Sequence, residues 1–295
     1  MTFSDFRTER VPGVDGVELT VAVGGPADAP AVVLLHGFPQ THLMWRLVAP
    51  ALATDHRVIC PDLRGYGASD KPGAGYDKRT MAADVVAAAK HLGAGTFALA
   101  GHDRGALVAI RAGLDHPDVV THLASLDVLP VPEMWDVLHG VDAAVAFHLY
   151  LMAQPPGLPE AMIAGAPDTF FGFFLDSWGG SFPDEVREEY LRASREAVPS
   201  IVADYRASAG VDLELDRASR AAGERLTMPV TVVQQDWGAA LGFDAAGRWK
   251  EWAPDLEHRT LDAGHFMAEQ APEEITAILR ELVRRRPAPS SPTGR

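Results

Sequence analysis

The chain has 295 residues, 47% of them hydrophobic and 22% charged, with a net charge of −14 at pH 7. That length suits one α/β domain carrying an insertion. The acidic balance argues against nucleic acid or an anionic membrane as partner, since both call for a basic face. A single cysteine, Cys60, excludes an intrachain disulfide.

The start, MTFSDFRTER, lacks a basic stretch followed by an apolar one, so a cytoplasmic location is expected. No apolar run approaches the roughly 18 residues of a membrane span, so no membrane partner is expected. Val17–Gly25 reads as an early strand. Ala31–His36 is a buried strand that breaks at Gly37, and Arg57–Cys60 is another, with Cys60 a small buried hydrophobe. Met81–Leu92 has apolar residues at helical spacing and stops at Gly93. Phe97–Gly101 is a strand ending in GHDRG. Ala106–Leu114 is a helix closed by His116-Pro117, and Leu123–Leu129 is the next strand. This β–α alternation predicts an α/β fold with a mostly parallel sheet flanked by helices.

From Pro130 to Glu224 the pattern turns helical, aromatic and proline-interrupted. Alternation resumes with a strand at Pro229–Gln234, a helix at Ala245–Trp252, a strand at Leu256–Leu261 and a helix at Ala268–Arg285. The division expected is a core of residues 1–130 and 225–286 with a helical cap at 131–224, since long insertions sit above strand ends. The tail at 287–295 is Pro- and Ser-rich and expected to be disordered.

Asp103 lies between a strand and a helix, in Gly101-His102-Asp103-Arg104-Gly105. This is the nucleophile-elbow pattern with Asp where serine hydrolases carry Ser. The tight turn pushes the side chain out of the sheet and aims backbone N–H groups at it. A carboxylate is already ionised at pH 7. It can attack an sp³ carbon bearing a leaving group and form an alkyl ester. On an ordinary ester or amide it would form a labile anhydride instead. The residue type therefore points to carbon–halogen or epoxide substrates.

His265, in LDAGHFMAEQAP, stands after the last strand, where this chain order places a general base. Its expected task is to take a proton from the water that attacks the Asp103 ester. The backbone N–H groups of Phe38 and Arg104 are the candidate oxyanion hole, and His36 is expected to support that loop. Two acids could orient His265. Asp236 arrives early for the commonest position of that acid, which falls near Gly238, so Asp127 is preferred. The histidines are scattered and no Gly-rich phosphate loop follows the first strand, so neither metal nor cofactor is expected.

The segments HGFPQTHLMWR (36–46), CPDLRGYGASDKP (60–72), GHDRGA (101–106), LDHPDVV (114–120), SLDVLP (125–130), AQPPGLPE (153–160), DYRASAG (204–210) and AGHF (263–266) together resemble the fluoroacetate (haloacetate) dehalogenases of the α/β-hydrolase superfamily. The first two are shared with epoxide hydrolases and haloalkane dehalogenases. The Asp-Arg pair at the elbow is the more specific mark. The resemblance implies an α/β-hydrolase fold with a helical cap after the sixth strand, and hydrolysis of small haloacids through an aspartyl ester. It implies Asp103 as nucleophile, His265 as base and Asp127 as its acid. Arg104 would hold the substrate carboxylate, His148 and Tyr205 would donate to the departing halide, and Trp178 would wall the pocket. A homodimer is also implied.

Two positions depart from that family. Its second arginine, three residues after the first, is here Leu107, which removes one of two carboxylate clamps. Its halide-binding tryptophan is here Leu149, which removes one N–H donor. Fluoride depends most on such donors, so chloride or bromide, or larger and less anionic haloacids, are expected to suit this site better. The alternative is an epoxide hydrolase, with Asp103 as nucleophile and Tyr205, Tyr150 or Tyr190 protonating the epoxide oxygen. A non-catalytic binder with a lidded pocket is the other class, and the intact Asp103–His265–acid set argues against it.

Overall fold

A computed structural model describes residues 3–236 and 241–286. Among them eight strands form one sheet: β1 (Arg7–Pro12), β2 (Glu18–Gly24), β3 (Ala31–Leu35), β4 (Arg57–Pro61), β5 (Phe97–His102), β6 (Val120–Leu126), β7 (Val230–Gln234) and β8 (Leu256–Thr260). Their order is β1-β2-β4-β3-β5-β6-β7-β8. The β1–β2 and β2–β4 pairings are antiparallel, and every other pairing is parallel. This is the α/β-hydrolase arrangement expected from the motifs. Every strand named from the sequence forms, within a residue or a few at its ends. The polar edge strand β1 is an addition to them. Its RTERVP segment is mostly exposed, so it carries no buried apolar run to betray it.

The central strand β3 is apolar and buried at every position, and its neighbours are mostly so, because both faces are covered. Val33, Leu35 and Leu99 point to one side, toward α2 (Lys78–His91) and α3 (Arg104–Asp115). Val32, Leu34 and Ala98 point to the other, toward α1 (Ala49–Leu52), α12 (Met267–Gln270) and α13 (Pro272–Leu282). Each such Leu or Val, fully buried, contributes about 1.5–3 kcal/mol. Cys60 is buried, as expected.

Among the described residues seven α-helices stand between β6 and β7: α4 (Val131–Val137), α5 (Phe147–Met152), α6 (Leu158–Gly165), α7 (Pro167–Ser177), α8 (Asp184–Glu196), α9 (Val198–Ser208) and α10 (Val211–Ala221). Between β7 and β8 lies α11 (Ala245–Lys250). The C-terminal helix expected over Ala268–Arg285 is split into α12 and α13, with Ala271 extended (φ −133°) ahead of Pro272, as a residue before proline prefers. Among the described residues no helix is long and apolar enough to cross a membrane. The tail at 287–295 lies outside the described residues.

Candidate active site

The C-terminal ends of β5, β6, β7 and β8 lie side by side, the edge at which open α/β sheets bind ligands. Each end delivers one part of the site. At the end of β5 the chain turns into α3 through Asp103, which has φ 48° and ψ −115°, a conformation that costs a non-glycine residue of order 1–3 kcal/mol. The turn closes only because its flanks are glycine. A Cβ on Gly101 would stand 2.3 Å from the Gly105 carbonyl oxygen, and one on Gly105 would stand 2.4 Å from that of His36. The strain lifts the carboxylate above the sheet, where the Phe38 N–H donates to Asp103 Oδ1 at 2.8 Å. His36 holds that loop: its Nε2 accepts from Leu63 N at 3.0 Å, and its Nδ1 lies 3.1 Å from the Gly37 carbonyl.

Asp127 follows β6, also at positive φ (55°). Its Oδ2 lies 2.7 Å from His265 Nδ1. It also accepts from the Gln235 backbone N–H at 3.0 Å and from Gln235 Nε2 at 2.7 Å. Of the two candidate acids, Asp127 is thus the one that meets His265, while Asp236 is exposed at the cavity wall. Sequence reasoning misses Gln235. It stands beside Asp236 in QQDW, but a glutamine after a strand carries no signal of its own.

His265 Nε2 lies 3.9 Å from Asp103 Oδ2 and is buried without a hydrogen-bond partner among the described residues. Burial disfavours the imidazolium. The hydrogen bond and charge of Asp127, with Asp103 nearby, outweigh it and raise the His265 pKa. The histidine loop is pinned from the insertion: His265 N donates to the Trp178 carbonyl at 3.0 Å. A Cβ on Gly264 would come within 2.7 Å of that same oxygen.

The insertion roofs the site with aromatic groups. His148 stacks on Phe38 at 5.8 Å and lies edge-on to Trp178 at 5.1 Å and Tyr205 at 5.4 Å. Burial drives the His148 pKa down to about 3, against the pull of Asp103, so its imidazole is neutral at pH 7. The Tyr205 hydroxyl is buried with no hydrogen-bond partner among the described residues. Burial and then the Asp103 charge raise its pKa well above the ordinary phenol value, so it is a donor and not an anion. Tyr150 and Tyr190 are spent elsewhere, on the Leu138 carbonyl and on Glu269.

Leu107 needs correction, and Arg104 is engaged on one side only. Arg104 borders the cavity, and its Nε and Nη2 are held from below while Nη1 makes no hydrogen bond among the described residues. Nε donates to Asp204 Oδ2 at 2.8 Å, and Nη2 donates to Asp204 Oδ1 at 3.0 Å, to the Asp204 carbonyl at 3.1 Å and to Ser208 Oγ at 2.6 Å. Its plane stacks on the Tyr205 ring, 4.1 Å from the centroid. Asp204 also binds Lys78 and accepts from the Tyr66 hydroxyl at 2.5 Å, and Lys78 is shared with Asp212. Two cations and two carboxylates are therefore balanced below the roof. Asp204 lies in the DYR segment, but its pairing partner is 100 residues away in the chain, beyond any periodic pattern. Leu107 is 3% exposed and belongs to the apolar core, not to the cavity wall. Leu149, His148 and Trp178 do line the cavity.

That cavity has a volume of about 930 Å³, at the upper end for small-molecule sites. Asp103 and His265 form its floor.

Comparison with known proteins agrees with this architecture. Residues 30–145 match the family described as alpha/beta hydrolase fold. Fluoroacetate dehalogenase of Burkholderia sp is 37% identical over 286 residues, covering 93% of both chains. Soluble epoxide hydrolase of Corynebacterium sp. (strain C12) is 34% identical, covering 83% of this chain and 86% of that one. Among solved structures, a candidate epoxide hydrolase from Pseudomonas aeruginosa superposes with a TM-score of 0.90 at 38% identity, covering 96% of this chain and 97% of that one.

Proposed function

Since this chain belongs to the α/β-hydrolase family, in the group that includes fluoroacetate dehalogenase and soluble epoxide hydrolases, we propose that it is a hydrolytic dehalogenase of small haloacids and related halides. The observation that carries this reading is Asp103: a carboxylate held by the Phe38 N–H with His265 Nε2 3.9 Å from its other oxygen.

In the first step Asp103 Oδ2 attacks the halogen-bearing carbon. The C–O bond forms as the C–X bond breaks, and halide leaves with the bonding pair. Tyr205, and His148 as a neutral donor, solvate the departing ion. In the second step His265 Nε2 takes a proton from water while the hydroxide adds to Cγ of the ester. Negative charge develops on Oδ1, where the Phe38 N–H already points. Collapse expels the alkoxide, which recovers the proton from His265. The product is an alcohol, the net by-products are one proton and one halide ion, and one oxygen of the Asp103 carboxylate now comes from water. The insertion, in this reading, is a cap that excludes bulk water. Leu149 in place of an N–H donor makes fluoride the least favoured leaving group.

A single turnover in ¹⁸O-labelled water tests the mechanism. One label should appear on the Asp103 peptide and none in the first-turnover alcohol. Label in the alcohol alone would mean direct attack by water and would overturn it.

Epoxide hydrolysis is the second reading, favoured by the buried Tyr205 hydroxyl, which has no partner among the described residues and could protonate an epoxide oxygen as Asp103 opens the ring. Styrene oxide turnover without release of halide from any haloacid would put this reading first.

A further inference from the structure

His102 immediately precedes the nucleophile, and the two steps of the proposed reaction use neither of its ring nitrogens. It is fully buried. Side chains alternate along a strand, so His102 turns to the face of β5 that Ala98 and Ala100 share, toward α12. There its ring meets the general base. The ring centroids of His102 and His265 are 4.5 Å apart, and His102 Nε2 lies 2.8 Å from the His265 carbonyl oxygen. A carbonyl only accepts, so Nε2 carries the proton and donates it. Burial, and then the nearby His265, push the His102 pKa down to about 4, so the ring is neutral at pH 7 and Nδ1 bears only a lone pair. Nδ1 is buried with no hydrogen-bond partner among the described residues. An unpaired buried acceptor is a cost that an apolar side chain of similar shape would avoid. Packing alone therefore does not account for an imidazole here, whereas the donor at Nε2 does.

His265 is held at three points: its Nδ1 by Asp127, its backbone N–H by the Trp178 carbonyl, and its own carbonyl by His102. The helix α12 does not claim that carbonyl, because the N–H groups of Glu269 and Gln270 both go to Phe266. The other edge of the His102 ring faces the oxyanion loop, where a Cβ on Gly37 would stand 2.8 Å from His102 Nδ1. The ring thus sits between the loop that carries the Phe38 N–H and the loop that carries the base. We propose that His102 is a positioning residue for His265: its Nε2–H bond to the His265 carbonyl holds the base where it can take a proton from the water that attacks the Asp103 ester. The proposal rests on the aspartyl-ester reading and adds a residue to its second step. The first step uses Asp103 and not the base, so it does not depend on this bond.

Rapid-quench intact-protein mass spectrometry separates the two steps as ester formation and ester decay, with bromoacetate as substrate, or styrene oxide if bromoacetate forms no ester. His102→Leu loses the donor. His102→Asn carries an amide only as far as the position of Nδ1, and His102→Gln carries one to that of Nε2. A misplacement of about 1 Å can cost about 10²-fold. The first two variants should therefore slow ester decay about 10- to 100-fold and accumulate ester, with formation within about threefold of the parent. His102→Gln should recover decay to within about fivefold of the parent. The loss should fall on the plateau of the decay rate and not on its pH midpoint, because His102 is neutral and Asp127 still holds Nδ1 of the base. Decay unchanged in His102→Leu overturns the proposal. So does a His102→Gln variant no better than His102→Leu, a loss that comes from a moved midpoint, or formation and decay falling together, which is the mark of a general disturbance of the elbow. If His265→Asn forms no ester with either substrate, the ester reading fails and the proposal with it. Ester on that variant beside normal decay in His102→Leu removes the proposal alone.

Discussion

Two buried carboxylates at this site each hold a basic partner beside the nucleophile, to opposite effect. Asp127 grips His265 by Nδ1 and leaves Nε2 bare, 3.9 Å from Asp103. Asp204 grips Arg104 by Nε and Nη2 and stacks it under Tyr205. The first pair prepares a base; the second engages one side of a cation and leaves Nη1 without a hydrogen bond among the described residues. A basic residue beside a nucleophile therefore does not by itself define a substrate-binding charge. What its partner leaves unoccupied decides that.

The largest effects belong to the first pair. Asp103→Ala should cost about 10⁴-fold or more in kcat, since the attacking oxygen is lost. His265→Asn should still form the ester but not hydrolyse it, so intact-protein mass should show a stable adduct equal to the substrate less halide. Asp127→Asn should lower kcat about 10²–10⁴-fold by losing the orientation and charge that support His265. Asp236→Asn should keep near-parental kcat on chloroacetamide. If the two outcomes exchange, His265 takes its acid from Asp236 and the first half of the comparison breaks.

A second effect follows from the raised pKa of His265. Only the neutral imidazole can accept the proton from water. Hydrolysis of the ester should therefore fall as pH drops through a value above the ordinary histidine value near 6.5, while alkylation of Asp103 continues. Rapid-quench mass spectrometry at about pH 5.5 and about pH 8.5, on either side of the ordinary histidine value, should find more ester at the lower pH. A His148 contribution to this profile is not expected, because burial holds its pKa to about 3 and it is neutral throughout.

The second pair is a matter of stability before it is one of chemistry. Asp204→Asn leaves Arg104 and Lys78 buried beside a neutral amide. Removing one partner of a buried ion pair costs about 3–5 kcal/mol. Thermal unfolding should show it as a clear loss of Tm, with catalysis on neutral halides less affected than folding. A Tm unchanged within a degree would mean that Asp204 does not hold the cation.

These two pairs also mark how far the sequence can be read. Asp103 and His265 sit in short motifs at strand ends, where a local pattern names both residue and position, whereas for the acid that pattern leaves Asp127, the preferred one, beside Asp236. The central strands are legible because burial on both faces makes them mostly apolar. The lock on Arg104 is not. It is built from Asp204, Ser208, Lys78 and Tyr66, drawn from distant segments. Each reads by itself as an ordinary polar residue on a helix or loop. Leu107 shows the same limit from the other side. Its position in the elbow helix suggests the wall of the pocket, but packing against the core places it beneath. The edge strand β1 escapes for a third reason: an exposed, charged strand has no periodic apolar signature.

The smallest expected effect concerns the leaving group. Leu149 lines the cavity at 6% exposure, next in sequence to His148. Leu149→Trp would add one indole N–H donor and fill part of a cavity that has room for it. A hydrogen bond to a charged acceptor is worth about 1.5–3 kcal/mol. Only the part that strengthens between bound halide and departing ion lowers the barrier. Fluoride gains more than bromide because its charge is more concentrated and its departure depends more on solvation. The fluoroacetate/bromoacetate ratio of kcat/KM should therefore rise, by about three- to tenfold. A rise in fluoroacetate turnover to the level of bromoacetate would show that the donor missing at Leu149 is what sets the range of leaving groups. An unchanged ratio would mean that the indole is not aimed at the halide, and that Tyr205 and His148 already supply what the leaving group can use.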